Sequence, residues 1–312
     1  MSRTVVYTEI GPPEVLRVDD VDPGAPGPGQ VRVRIEAAGV NPIDAKVRGG
    51  RRPSPPVDGP RRVGADGAGV IVAVGADVPQ WRPGLPVAVM GATGTYADEL
   101  TVSASSVFLR PAGVSAAQAA AVGIPVSTAY QALRSLAVGP DDTLLLHGGS
   151  GAVGRAAVQF AIAWGARVIA TCSERRAADL HSLGAETVRY GDGLADRVRA
   201  LAPAVSVALD AAGTDEALQV SLELVADRTR IATLVRGADA DGLGIRAFGG
   251  GSPHPLSADE LGWRREAIPV VLPLIAAGAF SVELGPSFPL EQAAEAHRLV
   301  EAGADGKIVL LP

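Results

Sequence analysis

The stretch Thr143-Leu-Leu-Leu-His-Gly-Gly-Ser-Gly-Ala-Val-Gly154 decides how this chain is read. A short apolar run ends in glycines at 148, 151 and 154, and Arg155-Ala-Ala-Val-Gln-Phe-Ala-Ile-Ala-Trp164 continues with helical periodicity. Strand, glycine turn and helix, in that order, are what a pyrophosphate needs. The glycines let the backbone turn tightly and approach a ligand, while the helix start offers free N–H groups and the positive end of its dipole. A glycine triad alone is a weak signal, because turns are rich in glycine anyway. Here a second apolar run, Arg167-Val-Ile-Ala-Thr171, follows at βαβ distance, so the segment reads as a dinucleotide-binding unit with Ser150, Gly151, Ala152 and Val153 as its backbone cradle.

The tip of that second strand bears on which dinucleotide. Sites for NAD place Asp or Glu there, to accept hydrogen bonds from the ribose hydroxyls. The tip here is Cys172-Ser173-Glu174-Arg175-Arg176, with no carboxylate at Cys172 and two arginines close behind. Arginine suits a 2′-phosphate because its planar fork donates two parallel hydrogen bonds. As merely solvated residues, Arg175 and Arg176 would oppose the dipole of the helix they begin by roughly 0.3–1 kcal/mol each. A bound anion reverses that sign. The reading is NADPH rather than NADH, with Ser173 and Arg175 toward the phosphate and Glu174 as the one feature against it.

The glycine turn lies too far along the 312 residues for a single Rossmann domain starting at the N-terminus, so another domain precedes it. A net charge of −6 argues against nucleic acid or an acidic membrane surface as partner. No apolar run is long enough to span a bilayer, and the N-terminus lacks a signal-peptide core. The single cysteine, Cys172, leaves no disulfide framework and no cysteine-rich zinc lobe. The expectation is a cytoplasmic protein. Of its 28 lysines and arginines only Lys46 and Lys307 are lysines, which draws attention to both.

Short strands and turns fill the first part of the chain. Val31-Arg-Val-Arg-Ile35 alternates with period two, Gly69-Val-Ile-Val-Ala-Val74 reads as a buried strand, and Arg48 to Arg62 reads as a mobile loop over a cleft. From Ser115 the composition turns alanine-rich and helical. Further strands are expected at Val205–Leu209 and Arg230–Val235, helices at about 258–277 and 290–301, and a last strand at Lys307–Leu311. The fold class is therefore α/β, a β-rich domain followed by a doubly wound parallel-sheet domain. Boundaries are set at 1–123, 124–255 and 256–312, the last segment returning to the first domain.

This order resembles the medium-chain dehydrogenase/reductase superfamily, and within it the zinc-free quinone oxidoreductases related to zeta-crystallin. The resemblance covers nearly the whole chain. It rests on Ala37-Ala-Gly-Val-Asn-Pro-Ile-Asp44, Gly64-Ala-Asp-Gly-Ala-Gly69 with Ala73-Val-Gly75, Gly94-Thr-Tyr-Ala97, Thr128-Ala-Tyr130, the glycine turn with Val158-Gln159, and Gly306-Lys-Ile-Val-Leu310. It implies a GroES-like catalytic domain, a Rossmann domain, a nicotinamide cleft between them and a homodimer. Zinc alcohol dehydrogenases put a cysteine where this chain has Asn41, and a His-Glu pair where it has Ala65-Asp66. Zinc takes about four N or S ligands, or three plus water. That complement is missing, and the four histidines are scattered, so no metal is expected. The implied reaction is hydride transfer from NADPH to a quinone or an α,β-unsaturated carbonyl. Two alternatives are an enoyl-type reductase tailoring a secondary-metabolite intermediate and a non-catalytic NADPH-binding protein.

The resemblance also assigns individual residues. Asn41 approaches the nicotinamide ribose or the substrate oxygen, although a turn before Pro42 explains it as well. Lys46 stands where relatives often carry tyrosine; it either stabilises an enolate or pairs with Asp44. Tyr190 falls near the adenosine phosphate, Thr128 near the nicotinamide, and Phe248 in the nicotinamide pocket or the core. Lys307 either contacts the cofactor or, as expected of a strand start, lies at the surface; His147 is expected as a packed residue rather than a base, and Trp81, Trp164 and Trp263 as core or interface residues.

Overall fold

Apolar residues at every second position of Val31-Arg-Val-Arg-Ile35 turn one face of a strand inward and leave arginines on the other. In the computed structural model, which describes residues 1–312, this strand is the spine of a first unit, Met1–Ile124 together with Ile268–Pro312. Its elements begin with β1 (Ser2–Tyr7), β2 (Arg17–Val21), β3 (Gln30–Gly39), α1 (Pro42–Arg48) and β4 (Arg61–Arg62). They continue with β5 (Asp66–Val74), β6 (Pro86–Val89), β7 (Glu99–Ser103), β8 (Val107–Leu109) and the start of α2 (Ala116–Ser135).

The second unit is Pro125–Ala267. It alternates β9 (Thr143–His147), α3 (Ala152–Ala163), β10 (Arg167–Cys172), α4 (Glu174–Ser182), β11 (Glu186–Arg189) and α5 (Leu194–Leu201). Then come β12 (Val207–Asp210), α6 (Asp215–Leu224), β13 (Ile231–Thr233), α7 (Ala240–Leu243), β14 (Arg246–Ala247) and the start of α8 (Ala258–Ala276). The strands form one sheet in the order β11-β10-β9-β12-β13-β14, every neighbouring pair parallel. Two βαβ runs diverge from β9, so the strand order reverses there. That reversal is the topological switch point at which open parallel sheets bind ligands beyond their carboxyl ends. Leu144, Leu145 and Leu146 are fully buried in β9, each burial contributing about 1.5–3 kcal/mol.

The chain ends in the first unit with β15 (Leu284–Pro289), α9 (Ala293–Ala302) and β16 (Lys307–Leu311). β16 runs antiparallel to β3, pairing Val309 with Gly39 and Leu310 with Ala38. The resulting sheet has the order β15-β16-β3-β5-β6-β8, with β7 also on β3, and Val31, Val33, Ile35, Ile71, Val87, Leu100 and Leu310 share its core. No helix is long and apolar enough to cross a membrane.

The ends of the expected Arg48–Arg62 loop are anchored. Arg48 closes α1 fully buried, donating to Gly11 O at 2.7 Å and pairing with Glu301 at 2.7 Å. Arg61 lies in β4 and donates to the carbonyls of Pro55 and Pro56 at 2.7 and 2.8 Å. Two of the arginines that, with the prolines and glycines, suggested a mobile loop hold its ends.

Candidate functional site

In the second unit each glycine of the turn has its own physical reason. Gly148 has φ +76°, and its N–H donates to Thr171 Oγ1 at 3.1 Å. The Gly149 N–H donates to Thr171 O at 3.1 Å, so the turn is fastened to the end of β10. A Cβ on Gly154 would lie 2.3 Å from Gly148 O, a backbone atom that cannot move aside without opening the turn. Gly151 is the N-cap of α3, and a Cβ there would meet nothing closer than 3.7 Å. That space is open to a ligand. With no side-chain cap on α3, the N–H groups of Ala152 and Val153 lack intrahelical partners, the condition under which a helix start can take an anion. Ala152 keeps a negative φ, so its methyl introduces no strain. Ser150 lies in the turn itself.

At the tip of β10, Cys172 is buried, and burial pushes its thiol up. Ser173 is the N-cap of α4, with its hydroxyl making no capping bond. The two arginines then part company. Arg176 turns into the fold, 6% exposed, and pairs with Asp179 at 2.9 Å, whereas Arg175 is exposed beside Glu174. Cys172 and Arg189 are register partners in β10 and β11, so Ser173 and Tyr190 leave adjacent strand ends together. Tyr190 is 54% exposed, not the half-buried aromatic that packing alone would give.

Thr128 is buried on α2. Phe248 is also buried; its N–H donates to Thr233 O at 3.1 Å, and the Arg246 guanidinium lies 4.8 Å from its ring centroid. His147 ends β9 inside the fold, where burial holds it at about 4 and therefore neutral. Trp164 packs with Tyr130 and Phe160. Sequence reasoning missed Asp210 and Thr233, which end the adjacent strands β12 and β13 fully buried. Asp210 accepts from Ala212 N at 2.9 Å, Gly213 N at 2.8 Å and Thr233 Oγ1 at 2.7 Å. These bonds shape the loops beyond the switch point. A carboxylate closing the apolar run Val207-Ala-Leu-Asp210 was the available signal.

The first unit contains a buried polar cluster. Asn41 is the N-cap of α1, 1% exposed, and its backbone N–H donates to Asp44 Oδ2 at 2.9 Å, closing a capping box. The same Asp44 oxygen accepts the Tyr96 hydroxyl at 2.9 Å. Asn41 Nδ2 donates to Asp66 Oδ2 at 2.9 Å, and Lys307 Nζ donates to Asn41 Oδ1 and to Val40 O. Lys307 is thus not the surface residue expected of a strand start; it is 5% exposed. Nor does Asp44 pair with Lys46, which stands exposed on α1 while Asp44 serves Asn41 and Tyr96. Burial pushes Asp44 up to about 6 and raises Asp66, and it lowers Lys307 to about 8.

Residues 27–123 match the alcohol dehydrogenase GroES-like domain, and residues 183–310 match the zinc-binding dehydrogenase family. A quinone oxidoreductase of Pseudomonas aeruginosa is 33% identical, with 100% of both chains covered. The chain belongs to the quinone oxidoreductase family of the medium-chain dehydrogenase/reductase superfamily. The structure of Escherichia coli quinone oxidoreductase complexed with NADPH superimposes with a TM-score of 0.84 at 27% identity, over 100% of both chains. A further relative is the pikromycin polyketide synthase component PikAII of Streptomyces venezuelae, 33% identical over 304 residues. That match covers 91% of this chain and 8% of the synthase component. The protein is an oxidoreductase with a nicotinamide cofactor and a small-molecule substrate.

The glycine turn and the uncapped start of α3 fit such a dinucleotide. Zinc does not fit. No group of three or more His, Cys, Asp or Glu side chains is arranged to hold a metal ion. Of Asn41, Ala65 and Asp66 only Asp66 offers a strong ligand, and the Lys307 ammonium already occupies the oxygen of Asn41.

Proposed function

We propose that this oxidoreductase uses NADPH to reduce a quinone or an α,β-unsaturated carbonyl without a metal. The observation that carries this reading is the cradle in the second unit, where a Cβ on Gly151 would meet nothing closer than 3.7 Å and α3 starts without a side-chain cap, while Ser173, Arg175 and Tyr190 follow the ends of β10 and β11. Ser150, Gly151, Ala152 and Val153 hold the pyrophosphate through backbone N–H groups. Ser173 and Arg175 take the 2′-phosphate, and Tyr190 lies against the adenosine side. Thr128 and the wall behind Phe248 serve the nicotinamide end. Bound NADPH supplies the hydride. Negative charge then develops on the acceptor's carbonyl oxygen, and the chain's task is to orient the acceptor and support that oxygen. Asn41 and Lys46 are assigned to that end, Asn41 held from within by Lys307 and Asp66, Lys46 through an exposed ammonium.

The test follows NADPH absorbance with 1,4-benzoquinone, 9,10-phenanthrenequinone and simple enones. Turnover of at least one is expected; tight NADPH binding with none turned over would support a non-catalytic binding protein instead. The match to a polyketide synthase component favours a second reading, an enoyl-type reductase acting on a secondary-metabolite intermediate, for which thioester-linked enones would outrun quinones. Lys46→Ala sorts its role, since loss of a general acid lowers kcat by about 10²–10⁴-fold and loss of a bystander by far less.

A further inference from the structure

Asn41 is the only asparagine in the chain, and Lys307 is one of two lysines. Their contact is a long-range one, made when β16 pairs with the end of β3. Lys307 Nζ donates to Val40 O at 2.7 Å and to Asn41 Oδ1; Asn41 Nδ2 donates to Asp66 Oδ2 at 2.9 Å. Asp66 Oδ2 also accepts the Ile124 N–H at 2.8 Å, and its Oδ1 is buried without a hydrogen-bond partner. None of the three side chains is more than 5% exposed.

Two glycines make room for them. A Cβ on Gly123 would lie 2.1 Å from Asp66 Oδ1, and one on Gly39 would lie 2.1 Å from Ala120 O and 3.4 Å from Lys307 Cε. An amide has a donor end and an acceptor end that differ little in shape. An ammonium only donates and a carboxylate only accepts. With Lys307 on one side and Asp66 on the other, a single orientation of the Asn41 amide satisfies both, and a flipped amide would face each group with its like.

We infer that Lys307 and Asp66 act as a pair of positioning residues that lock the amide of Asn41, and with it the start of α1, in one orientation. Lys307 thereby places an ammonium against the amide oxygen of Asn41 inside the first unit. The bearing of this lock on turnover rests on the assignment of Asn41 to the acceptor end. The lock itself does not.

Because Asn41 is unique, full-length protein labelled with [15N]asparagine gives one side-chain NH2 pair. In the wild type its two protons should differ widely in shift and exchange slowly with water. Lys307→Met should merge them and speed exchange, and should lower kcat roughly tenfold, the worth of one buried hydrogen bond. The Kd for NADPH should change less than kcat, since the pyrophosphate cradle is built from residues of the second unit. Adding Asp66→Asn removes the unpaired charge, so the double variant should regain thermal stability while the amide signature and kcat remain altered. Unchanged amide signals in Lys307→Met, or full recovery of kcat in the double variant, would overturn the lock. Should Lys307→Met fail to fold, [15N]lysine-labelled wild type decides. One protected ammonium beside the freely exchanging Lys46 is expected, and two freely exchanging ammoniums refute the inference. If no quinone or enone is turned over yet the amide responds as described, the proposed reaction fails and the lock stands.

Discussion

The glycine turn of the second unit and the polar cluster of the first are built on opposite plans. The turn works through backbone. Gly148, Gly151 and Gly154 lie within seven residues, and the absence of side chains creates both the bend and the open N–H groups. The cluster works through side chains drawn from positions 41, 44, 66, 96 and 307, which only the sheet brings together. The turn therefore presents neutral dipoles at little cost, whereas the cluster draws four ionisable side chains, Asp44, Asp66, Tyr96 and Lys307, into one hydrogen-bonded group that must compensate them.

The sharpest break of this comparison is Lys307→Met. Removing one partner of a buried pair leaves Asp66 uncompensated and should cost about 3–5 kcal/mol in urea unfolding; no side-chain removal at the glycine turn should approach that. Next is Gly154→Ala, whose methyl would press on Gly148 O. An overpacking penalty of about 1–3 kcal/mol should lower Tm, and the opened turn should also weaken NADPH binding in calorimetry. Loss of stability with NADPH affinity unchanged would show that the turn is structural rather than poised for a ligand. Arg175→Ala should weaken NADPH roughly tenfold, as expected for a charge-assisted bond on an exposed site, and leave NADH unaffected; parallel loss for both would remove the assignment of the 2′-phosphate.

A different and more diagnostic effect lies in pH. Asp44 titrates higher in the folded chain, about 6 against an ordinary 3.8, so the folded state binds the extra proton between those values. Its contribution is stabilising below about 4 and is lost as pH rises through 6. Lys307, lowered from 10.5 to about 8, acts in the other window: its stabilising contribution is present above 10.5 and lost as pH falls through 8. The buried His147 and His297 are lowered to about 4 and 3 and oppose Asp44 in acid. They cancel in the difference between wild type and Asp44→Asn. That difference should fall in favour of the variant from pH 4 to 6 and stay flat from 6 to 8. A flat difference across the acid range would mean that Asp44 carries no displaced proton.

How much of each plan could be read beforehand follows from how far apart its parts lie. For the turn, the strand at 143–147, the helix behind it and the second strand were legible because every determinant sits inside one βαβ unit. One local detail lay beyond the sequence: adjacent arginines read alike, and only the helical phase of α4 turns Arg176 inward and leaves Arg175 exposed. Asp66 and Tyr96 lay in recognisable motifs but carried no chemistry on their own. Lys307 was read at the surface because an unpaired lysine belongs there.

The amino-acid order by itself determined the parallel sheet, the glycine cradle and the family, since period, glycine spacing and short-range turns act over one or two elements. Tertiary structure alone decided that Lys307 is buried, that Asp66 faces Asn41 and that Tyr96 holds Asp44. The reason is physical. Whether a charge can be buried depends on the groups that meet it, and here those groups come from opposite ends of the chain and meet only after β16 has paired with β3.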